Sequence, residues 1–465
     1  MQFLIVLAAL CFLMFVAYRG YSVILFAPIA ALGAVLLIDP HLVAPMFTGL
    51  FMDKMVGFVK LYFPVFLLGA VFGKVIELSG FSKSIVAWVI RAIGHQRAML
   101  AIVLVCAILT YGGVSLFVVV FAVYPFAAEM FRQSQIPKRL IPGTIALGAF
   151  TFTMDSLPGT PQIQNIIPTT FFKTNIYAAP WLGIIGALFI LGCGLVYLEW
   201  CRRRAARAGE GYGTDLVNEP APFEHERLPN AFIALLPLLM VGLMNKVLTV
   251  FIPQWYGPSV SFASAVVGKA KPVVQQVAPI AAVWAVEGAL LIGIATVFVF
   301  AGRTVARNFA DGTRTAIGGA LLATMNTASE YGFGAVIAAL PGFLVIADAL
   351  RTIPNPLVNE AITVSALAGI TGSASGGMGI ALAAMADTFI ANAQAAGIPM
   401  EVLHRVAAMA SGGMDTLPHN GAVITVLAVT GLTHRQSYKD IFAITCIKTF
   451  AVFVVIAVYY MTGLV

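Results

Sequence analysis

Two aspartates stand at matching points of a motif that the chain carries twice. The motif reads Met-Asp-Ser-Leu-Pro from Met154 and Met-Asp-Thr-Leu-Pro from Met414, about 260 residues later, and each copy lies between apolar segments. A carboxylate at membrane depth is costly and is a functional hypothesis by default. Burial also favours the protonated form, which suits a proton carrier. Asp155 and Asp415 are therefore candidates for proton coupling, and the alternative is that each one caps the half-helix that follows it.

Proline follows each aspartate and glycine comes soon after, so each motif should break its helix. A broken helix frees backbone N–H and C=O groups, which a bilayer tolerates only where they are buried in protein or line a wet cavity. Two further polar interruptions, Thr-Tyr-Gly-Gly-Val-Ser and Thr-Gly-Ser-Ala-Ser-Gly-Gly, divide other apolar runs. Paired helix breaks in two halves of a chain indicate a transporter's binding site. The predicted substrate-binding residues in these four places are Thr110, Gly112, Gly113, Ser115, Ser156, Thr160, Gln162, Asn165, Thr371, Ser373, Ser375, Gly376, Gly377, Thr416, His419 and Asn420.

The types of these residues favour a hydroxylated anion as the ligand. Glycine lets the backbone approach a ligand closely, and the N-terminus of a half-helix presents free N–H groups with partial positive charge. No Arg or Lys lies within any of the four interruptions, so backbone dipoles are the predicted anion-binding groups. His419 could titrate near neutral pH, although a single histidine more often donates a hydrogen bond. Glu330, in the middle of an apolar segment, is a third candidate for proton coupling.

The composition indicates a protein that crosses the membrane many times. Hydrophobic residues make up 60% of the 465 residues and charged residues 10%, whereas about a quarter of a soluble domain is charged. The net charge of +7 fits basic cytoplasmic loops better than nucleic-acid binding. The five cysteines show neither metal-binding nor disulfide spacing. Motifs of metalloproteases, serine hydrolases and ATP-driven pumps are missing, so we expect no enzyme activity, no cofactor and no metal site. The expected coupling ion is a proton, with sodium as the alternative.

Apolar runs predict the helical segments. Two runs, 99–130 and 356–396, contain the glycine-rich interruptions, and each is predicted to form a re-entrant hairpin. Segments 81–93 and 343–351 are short, and we expect both to lie at the membrane interface. The other predicted segments are 3–18, 23–38, 57–78, 141–153, 181–200, 231–251, 279–301, 317–340, 402–410 and 441–461.

The two halves of the chain follow one plan. Phe72-Gly-Lys-Val-Ile matches Phe333-Gly-Ala-Val-Ile, and Ile136-Pro matches Ile398-Pro, at nearly the separation of the two aspartates. If the interrupted runs are re-entrant, each half crosses an odd number of times and the second half is inverted; Arg and Lys then concentrate in the inside loops. The prediction is an all-α polytopic membrane protein with two inverted-topology repeats, each with a re-entrant helical hairpin and a broken transmembrane helix. The repeats span residues 1–200 and 230–465, a cytoplasmic loop spans 201–229, and both termini lie outside.

Several of these breaks also resemble those of a known family. Thr110-Tyr-Gly-Gly-Val-Ser, Leu157-Pro-Gly-Thr-Pro and Thr371-Gly-Ser-Ala-Ser resemble breaks of the gluconate permease family, within the ion transporter superfamily. Asp155-Ser-Leu-Pro-Gly-Thr-Pro and Asp415-Thr-Leu-Pro-His-Asn-Gly look more like its 3-hydroxybutyrate permease-like branch. The resemblance implies proton symport of a small hydroxy-monocarboxylate into a bacterium across its inner membrane. It also implies a homodimer in the lipid bilayer with a transport domain that moves as an elevator.

Two other functions stay open on the residues alone. One is a proton symporter of gluconate or another sugar acid, which uses the same architecture with a longer ligand. The other is a sodium/proton antiporter, because paired aspartates at crossed broken helices also suit sodium.

Overall fold

The computed structural model describes residues 2–19, 21–94, 97–214, 216–220, 228–262, 273–343, 345, 353–418 and 420–465. These residues are helical apart from one hairpin of two short antiparallel strands and the connecting turns and loops. Six of the described helices are long and apolar enough to cross a membrane, so the predicted all-α polytopic membrane protein is confirmed. The elements are α1 (Gln2–Tyr18), α2 (Val23–Ile38), α3 (Pro40–Leu78), α4 (Phe81–Ile93), α5 (Ala98–Tyr111), α6 (Leu116–Gln133), α7 (Ile141–Ala149), α8 (Phe152–Asp155), α9 (Ile163–Phe172), α10 (Pro180–Arg207), α11 (Ala231–Tyr256), β1 (Ser259–Phe262), β2 (Val273–Gln276), α12 (Ala281–Arg307), α13 (Phe309–Ala339), α14 (Pro356–Thr371), α15 (Ala374–Ala395), α16 (Met400–Ser411), α17 (Gly421–Thr430) and α18 (His434–Thr462).

Both glycine-rich interruptions form the turn of a helical hairpin. We call α5 with α6 hairpin 1, and α14 with α15 hairpin 2. Each hairpin is followed by a broken helix: α7 to α9 surround the first break (residues 150–162), and α16 and α17 surround the second break (residues 412–420). The first arm of each hairpin packs against the helix that precedes the break in the same half, α5 on α7 and α14 on α16. The sequence of elements therefore recurs in the two halves, while the inverted orientation, the re-entrant course and the boundaries of the parts stay predictions.

Long helices surround these hairpins and breaks. Helices α3 and α13 pack along each other, and α2 packs on α13. Helices α11 and α12 form a second pair, and α12 also packs against α3. The last helices of the two halves, α10 and α18, pack together and reach the broken helices from the other side. The breaks consequently lie inside protein, where their freed backbone groups find partners.

Several predicted boundaries differ from the observed ones. Helix α3 begins at Pro40 rather than at residue 57, through 3₁₀ and π turns, and Asp39 accepts a hydrogen bond from the His41 amide at its start. Helix α10 continues to Arg207 rather than to residue 200. Arg202 and Arg203 pair with Glu199 one turn earlier, and cations are favourable near a helix C-terminus.

Two regions of the second half also depart from the sequence prediction. Helix α13 begins at Phe309 rather than at residue 317, and the loop after α11 carries the β1–β2 hairpin, which was not predicted. The predicted interfacial segment 343–351 lies mostly outside the described residues. Its first-half counterpart, α4, has the predicted bounds.

Candidate functional site

The first break is held against the tip of hairpin 1 by side-chain hydrogen bonds. Gln162 stands at the N-cap of α9, and its Nε2 donates to the Thr110 carbonyl at 2.7 Å. The Tyr111 hydroxyl donates to the Pro158 carbonyl at 2.8 Å. Gly159 has a φ of +84°, a conformation that favours glycine, and a Cβ there would overlap the Tyr177 ring. The tip and the break therefore form one unit.

The second break is held against hairpin 2 in the same way. Asn420 stands at the N-cap of α17, where its Oδ1 accepts from the amides of Ala422 at 2.7 Å and Val423 at 3.0 Å. Its Nδ2 donates to the Gly372 carbonyl at 2.8 Å. In both halves, an amide side chain at the start of the helix after the break reaches a carbonyl at the hairpin tip.

The two breaks meet each other through their aspartates. Lys448 of α18 places its Nζ 2.6 Å from Asp415 Oδ1 and 3.1 Å from the Phe150 carbonyl, so one ammonium group contacts both breaks. A Cβ on Gly412 would overlap the Asp155 carboxylate, which means that Asp155 packs directly on the second break. Ser156 Oγ donates to Asp155 Oδ1 at 2.7 Å.

A buried arginine completes this meeting point. Arg405 of α16 is fully buried; its guanidinium donates twice to the Ala178 carbonyl, at 2.7 and 3.1 Å, and once each to the Asp155 carbonyl and Asn165 Oδ1, both at 3.1 Å. Asp155 interacts electrostatically with Lys448, Asp415 and Arg405. We call Asp155, Ser156, Arg405, Asp415 and Lys448 the crossing.

The sequence analysis did not single out Arg405 or Lys448. Neither residue lies within a break, but Lys448 interrupts the apolar part of α18, and Arg405 follows His404 directly before the apolar end of α16. A cation in such a helix is the signal that could have identified them. The breaks contain no Arg or Lys of their own, and the fold brings two cationic side chains to them from other parts of the chain.

Asn165, a predicted substrate-binding residue, uses its side-chain amide for hydrogen bonds within the protein. Its Nδ2 donates to the carbonyls of Thr160 at 3.0 Å and Ile176 at 2.8 Å. Its Oδ1 lies 3.1 Å from both His404 Nε2 and Arg405 Nη1, and His404 Nδ1 lies 2.6 Å from the Thr174 hydroxyl. This network holds the first break against α16.

Two predicted hydroxyl groups have no such partner. Thr110 Oγ1 and Thr160 Oγ1 are buried and make no hydrogen bond within the described part of the chain. They lie where Pro161 packs against Gly113, which has a φ of +95°. The adjoining helices α6 and α9 have Ser115 and Gln162 as their N-caps, and neither cap side chain accepts a hydrogen bond from the first turn. Two unpaired hydroxyls and two helix starts without a side-chain cap thus belong to hairpin 1 and the first break.

Most of the remaining predicted residues bond within the protein. Thr371 Oγ1 donates to carbonyls of its own turn, and Ser373 Oγ accepts from the Gly376 amide at 3.0 Å. Ser375 Oγ lies 3.2 Å from Thr327 Oγ1 of α13, and Thr416 Oγ1 lies 2.7 Å from Thr445 Oγ1. His419 lies outside the described residues.

The predicted glycines permit close packing at both tips. A Cβ on Gly112 would overlap Leu238 of α11, and one on Gly377 would overlap the backbone of α14 at Ala368. A Cβ on Gly376 would overlap the carboxylate of Glu330. Glu330 is buried in α13, and its Oε2 has no hydrogen-bond partner among the described residues. Hairpin 2 thus packs directly against the Glu330 carboxylate. Glu330 is not one of the residues of the crossing.

Comparisons with known proteins identify a transporter. No family model matches the chain. The chain is 60% identical over 474 residues to the uncharacterized transporter YxjC of Bacillus subtilis (strain 168), and the alignment covers 100% of both proteins. The crystal structure of the YdaH transporter of Alcanivorax borkumensis matches with a TM-score of 0.55 and 16% identity, over 90% of this chain and 88% of that one. The latter likeness shows a shared fold.

Proposed function

This chain belongs to the same family of membrane transporters as YxjC, and we propose that it is a secondary active transporter that takes up a small hydroxy-monocarboxylate by proton symport. The leading candidate for the substrate is 3-hydroxybutyrate. The observation that carries the proposal is the crossing, where two broken helices bring buried carboxylates and cations together. Buried ionisable groups at broken helices are typical of substrate and coupling-ion sites.

The substrate site that we propose lies between hairpin 1 and the first break. The free N–H groups at the starts of α6 and α9 suit a carboxylate, and the unpaired Thr110 and Thr160 hydroxyls suit the polar groups of the ligand. Few other predicted side chains are free, since Asn165, Thr416 and Asn420 bond within the protein. A short acid with one hydroxyl group needs only a few free hydrogen-bonding side chains, whereas a polyhydroxylated sugar acid needs more of them.

Coupling in this proposal uses the buried aspartates of the crossing. Asp155 and Asp415 are buried, so substrate and proton can reach them only after the protein changes conformation. We infer an elevator motion in which the hairpins and broken helices move against α1, α2, α11 and α12. Glu330, between hairpin 2 and α13, is the alternative proton-binding group in this proposal.

The proposal places the protein as a homodimer in a bacterial inner membrane, with both termini outside. The inverted topology puts the C-terminal end of α10, with Arg202, Arg203, Arg204 and Arg207, and the loop that follows on the inside, in keeping with the positive-inside rule. A reporter enzyme that is active only outside the inner membrane, fused after Val465, tests the orientation. Activity of that fusion supports it, whereas an inactive but stable fusion contradicts it.

Uptake by membrane vesicles tests the function. Labelled 3-hydroxybutyrate should accumulate when the outside is acidified, and the accumulation should collapse with an uncoupler and persist with excess gluconate. Efficient competition by gluconate would assign the site to a sugar acid. Sodium/proton exchange without any carboxylate would assign the protein to the antiporters instead.

A variant of the crossing provides the matched comparison for that assay. Asp155→Asn keeps the shape of the side chain and the hydrogen bond with Ser156 but removes the charge. We expect it to exchange labelled for unlabelled substrate without accumulating it in an imposed pH gradient. Normal accumulation by this variant would exclude Asp155 from coupling.

A further inference from the structure

The crossing contains two fixed cations and two carboxylates. Arginine side chains stay protonated in proteins, and Lys448 forms an ion pair with Asp415 at 2.6 Å. If both aspartates are ionised, the four charges cancel. A buried site of this kind resists any net charge, because the desolvation cost of an uncompensated buried ion is several kcal/mol (about 3–5 when one partner of a pair is lost).

The two aspartates differ in their partners. Asp415 Oδ1 accepts from the Lys448 ammonium. The Asp155 carboxylate accepts from the Ser156 hydroxyl, and no ion pair to it is found among the described residues, because Arg405 donates to the Asp155 backbone carbonyl instead. Among the described residues, His404 and Tyr111 interact electrostatically with Arg405, and Tyr438 interacts with Asp415.

A monocarboxylate bound between hairpin 1 and the first break adds one negative charge beside this balanced site, because Tyr111 at the tip of hairpin 1 lies within electrostatic range of Arg405. One proton restores neutrality, and the carboxylate without an ion pair is the group that can accept it at the smaller electrostatic cost. We propose that Lys448 keeps Asp415 ionised, so that Asp155 alone takes the coupling proton and the protein moves one proton with each monocarboxylate. This inference rests on the proposed function. It makes the transport cycle electroneutral.

A pH gradient and a membrane potential, each imposed alone on proteoliposomes with the purified full chain, test how many protons move with each substrate anion. With the membrane potential clamped at zero, an acid exterior of one pH unit should accumulate labelled 3-hydroxybutyrate about tenfold. An inside-negative potential without a pH gradient should give no accumulation. Two protons per anion would give about a hundredfold accumulation and a response to the potential, which would overturn the inference.

Charge-changing variants test the role of Lys448. Asp415→Asn leaves the crossing with an excess cation that can neutralise the substrate without a proton. We expect this variant to lose accumulation in the pH gradient and to respond to an inside-positive potential instead. Adding Lys448→Met to Asp415→Asn restores the balance, so the double variant should again accumulate substrate about tenfold per pH unit. Failure of the folded double variant to do so would contradict the inference.

A matched control lies on the same helix as Lys448. Asp440 is also buried and ion-paired, with Arg139 at 3.4 Å, and Arg139 keeps Glu210 as a second partner. Asp440→Asn should leave the accumulation ratio and its insensitivity to potential unchanged. A switch to potential-driven accumulation in this control would show that any lost charge uncouples the protein, and would overturn the specific role of the crossing.

The outcomes for the inference and for the proposed function are separate. If the wild-type protein exchanges labelled for unlabelled 3-hydroxybutyrate but accumulates it in response to potential, the transport function stands and the inference is wrong. If exchange is absent for hydroxy-monocarboxylates, the proposed function is wrong and the inference falls with it.

Discussion

Two unpaired buried hydroxyls are the residue-scale feature on which the proposed substrate site rests. The great majority of buried polar side-chain atoms in proteins have a hydrogen-bond partner, yet the hydroxyls of Thr110 and Thr160 have none within the described residues. Both threonines lie where hairpin 1 meets the first break, beside helix starts that carry no side-chain cap. In the proposed function, the substrate supplies the hydrogen bonds that these hydroxyls lack.

Valine replacements test this location. Thr110→Val and Thr160→Val keep the shape of each side chain but remove a hydrogen bond to a charged ligand, which is worth about 1.5–3 kcal/mol. We expect each variant to raise the KM for 3-hydroxybutyrate exchange roughly tenfold or more. Thr144→Val is the control, since the Thr144 hydroxyl donates to the Leu140 carbonyl of its own helix. If Thr110→Val and Thr160→Val gave the same KM as Thr144→Val, neither hydroxyl would bind the substrate.

At the scale of elements, hairpin 2 depends on a glycine to reach α13. Gly376 is the first-turn residue of α15 that faces Glu330, and a Cβ at this position would overlap the glutamate. One turn later, Gly334 of α13 packs against Ile380 of α15, where a Cβ would lie 2.8 Å from the Ile380 Cα. The two helices therefore pack closely through glycines at this contact, where the proposed elevator motion would move hairpin 2 past α13.

Enlarging Gly376 tests that contact. Gly376→Ala should slow substrate exchange and lower the thermal stability of the purified protein by about 1–3 kcal/mol, the usual cost of overpacking. Glu330→Ala in the same chain removes the overlapping carboxylate and should recover most of the stability. Gly319→Ala is the control, because a Cβ there meets nothing within 4 Å. Unchanged stability and exchange in Gly376→Ala would show that the contact relaxes freely.

At the scale of the whole molecule, the loop between the halves ties distant elements together. Glu219 pairs with Arg132 at the end of hairpin 1 and lies 2.7 Å from the Lys138 ammonium. The neighbouring Asn218 donates to the Ala428 carbonyl of α17 at 2.9 Å. The segment therefore joins hairpin 1 to the helix after the second break.

Acid should loosen this connection. Burial alone would raise the pKa of Glu219, but hydrogen bonds from Lys138 and Arg132 lower it below its usual range. A pKa lowered by folding contributes stability above the unfolded value, near 4.3 for Glu, which is lost as the pH falls through the folded value.

Thermal melting at neutral and acidic pH tests this contribution. Glu219→Gln should lower the melting temperature at pH 7 and lose less stability than the wild-type protein on acidification. The control is Asp311→Asn, whose carboxylate and partner Arg314 are both exposed, since exposed pairs contribute little. Parallel pH profiles for the wild-type protein and Glu219→Gln would contradict the role of the loop.

The sequence by itself determined the membrane class and the positions of the breaks. The bounds of α1 and α2 agree closely with the prediction because an apolar run in a bilayer must satisfy its backbone hydrogen bonds internally and therefore forms a helix up to the polar residues that end the run. The repeated Met-Asp motif likewise identified both breaks, since proline and glycine act on the local backbone. These are local properties, and a linear pattern records them.

Only the tertiary structure decided what surrounds the two aspartates. Arg405 and Lys448 are separated from Asp155 by hundreds of residues, and they meet it because α16 and α18 pack across the first break. Packing between elements gives the side chains of Asn165 and Asn420 hydrogen-bond partners within the protein. It gives the hydroxyls of Thr110 and Thr160 none among the described residues. Which polar atom is paired depends on distances between elements, and local propensity does not encode those distances.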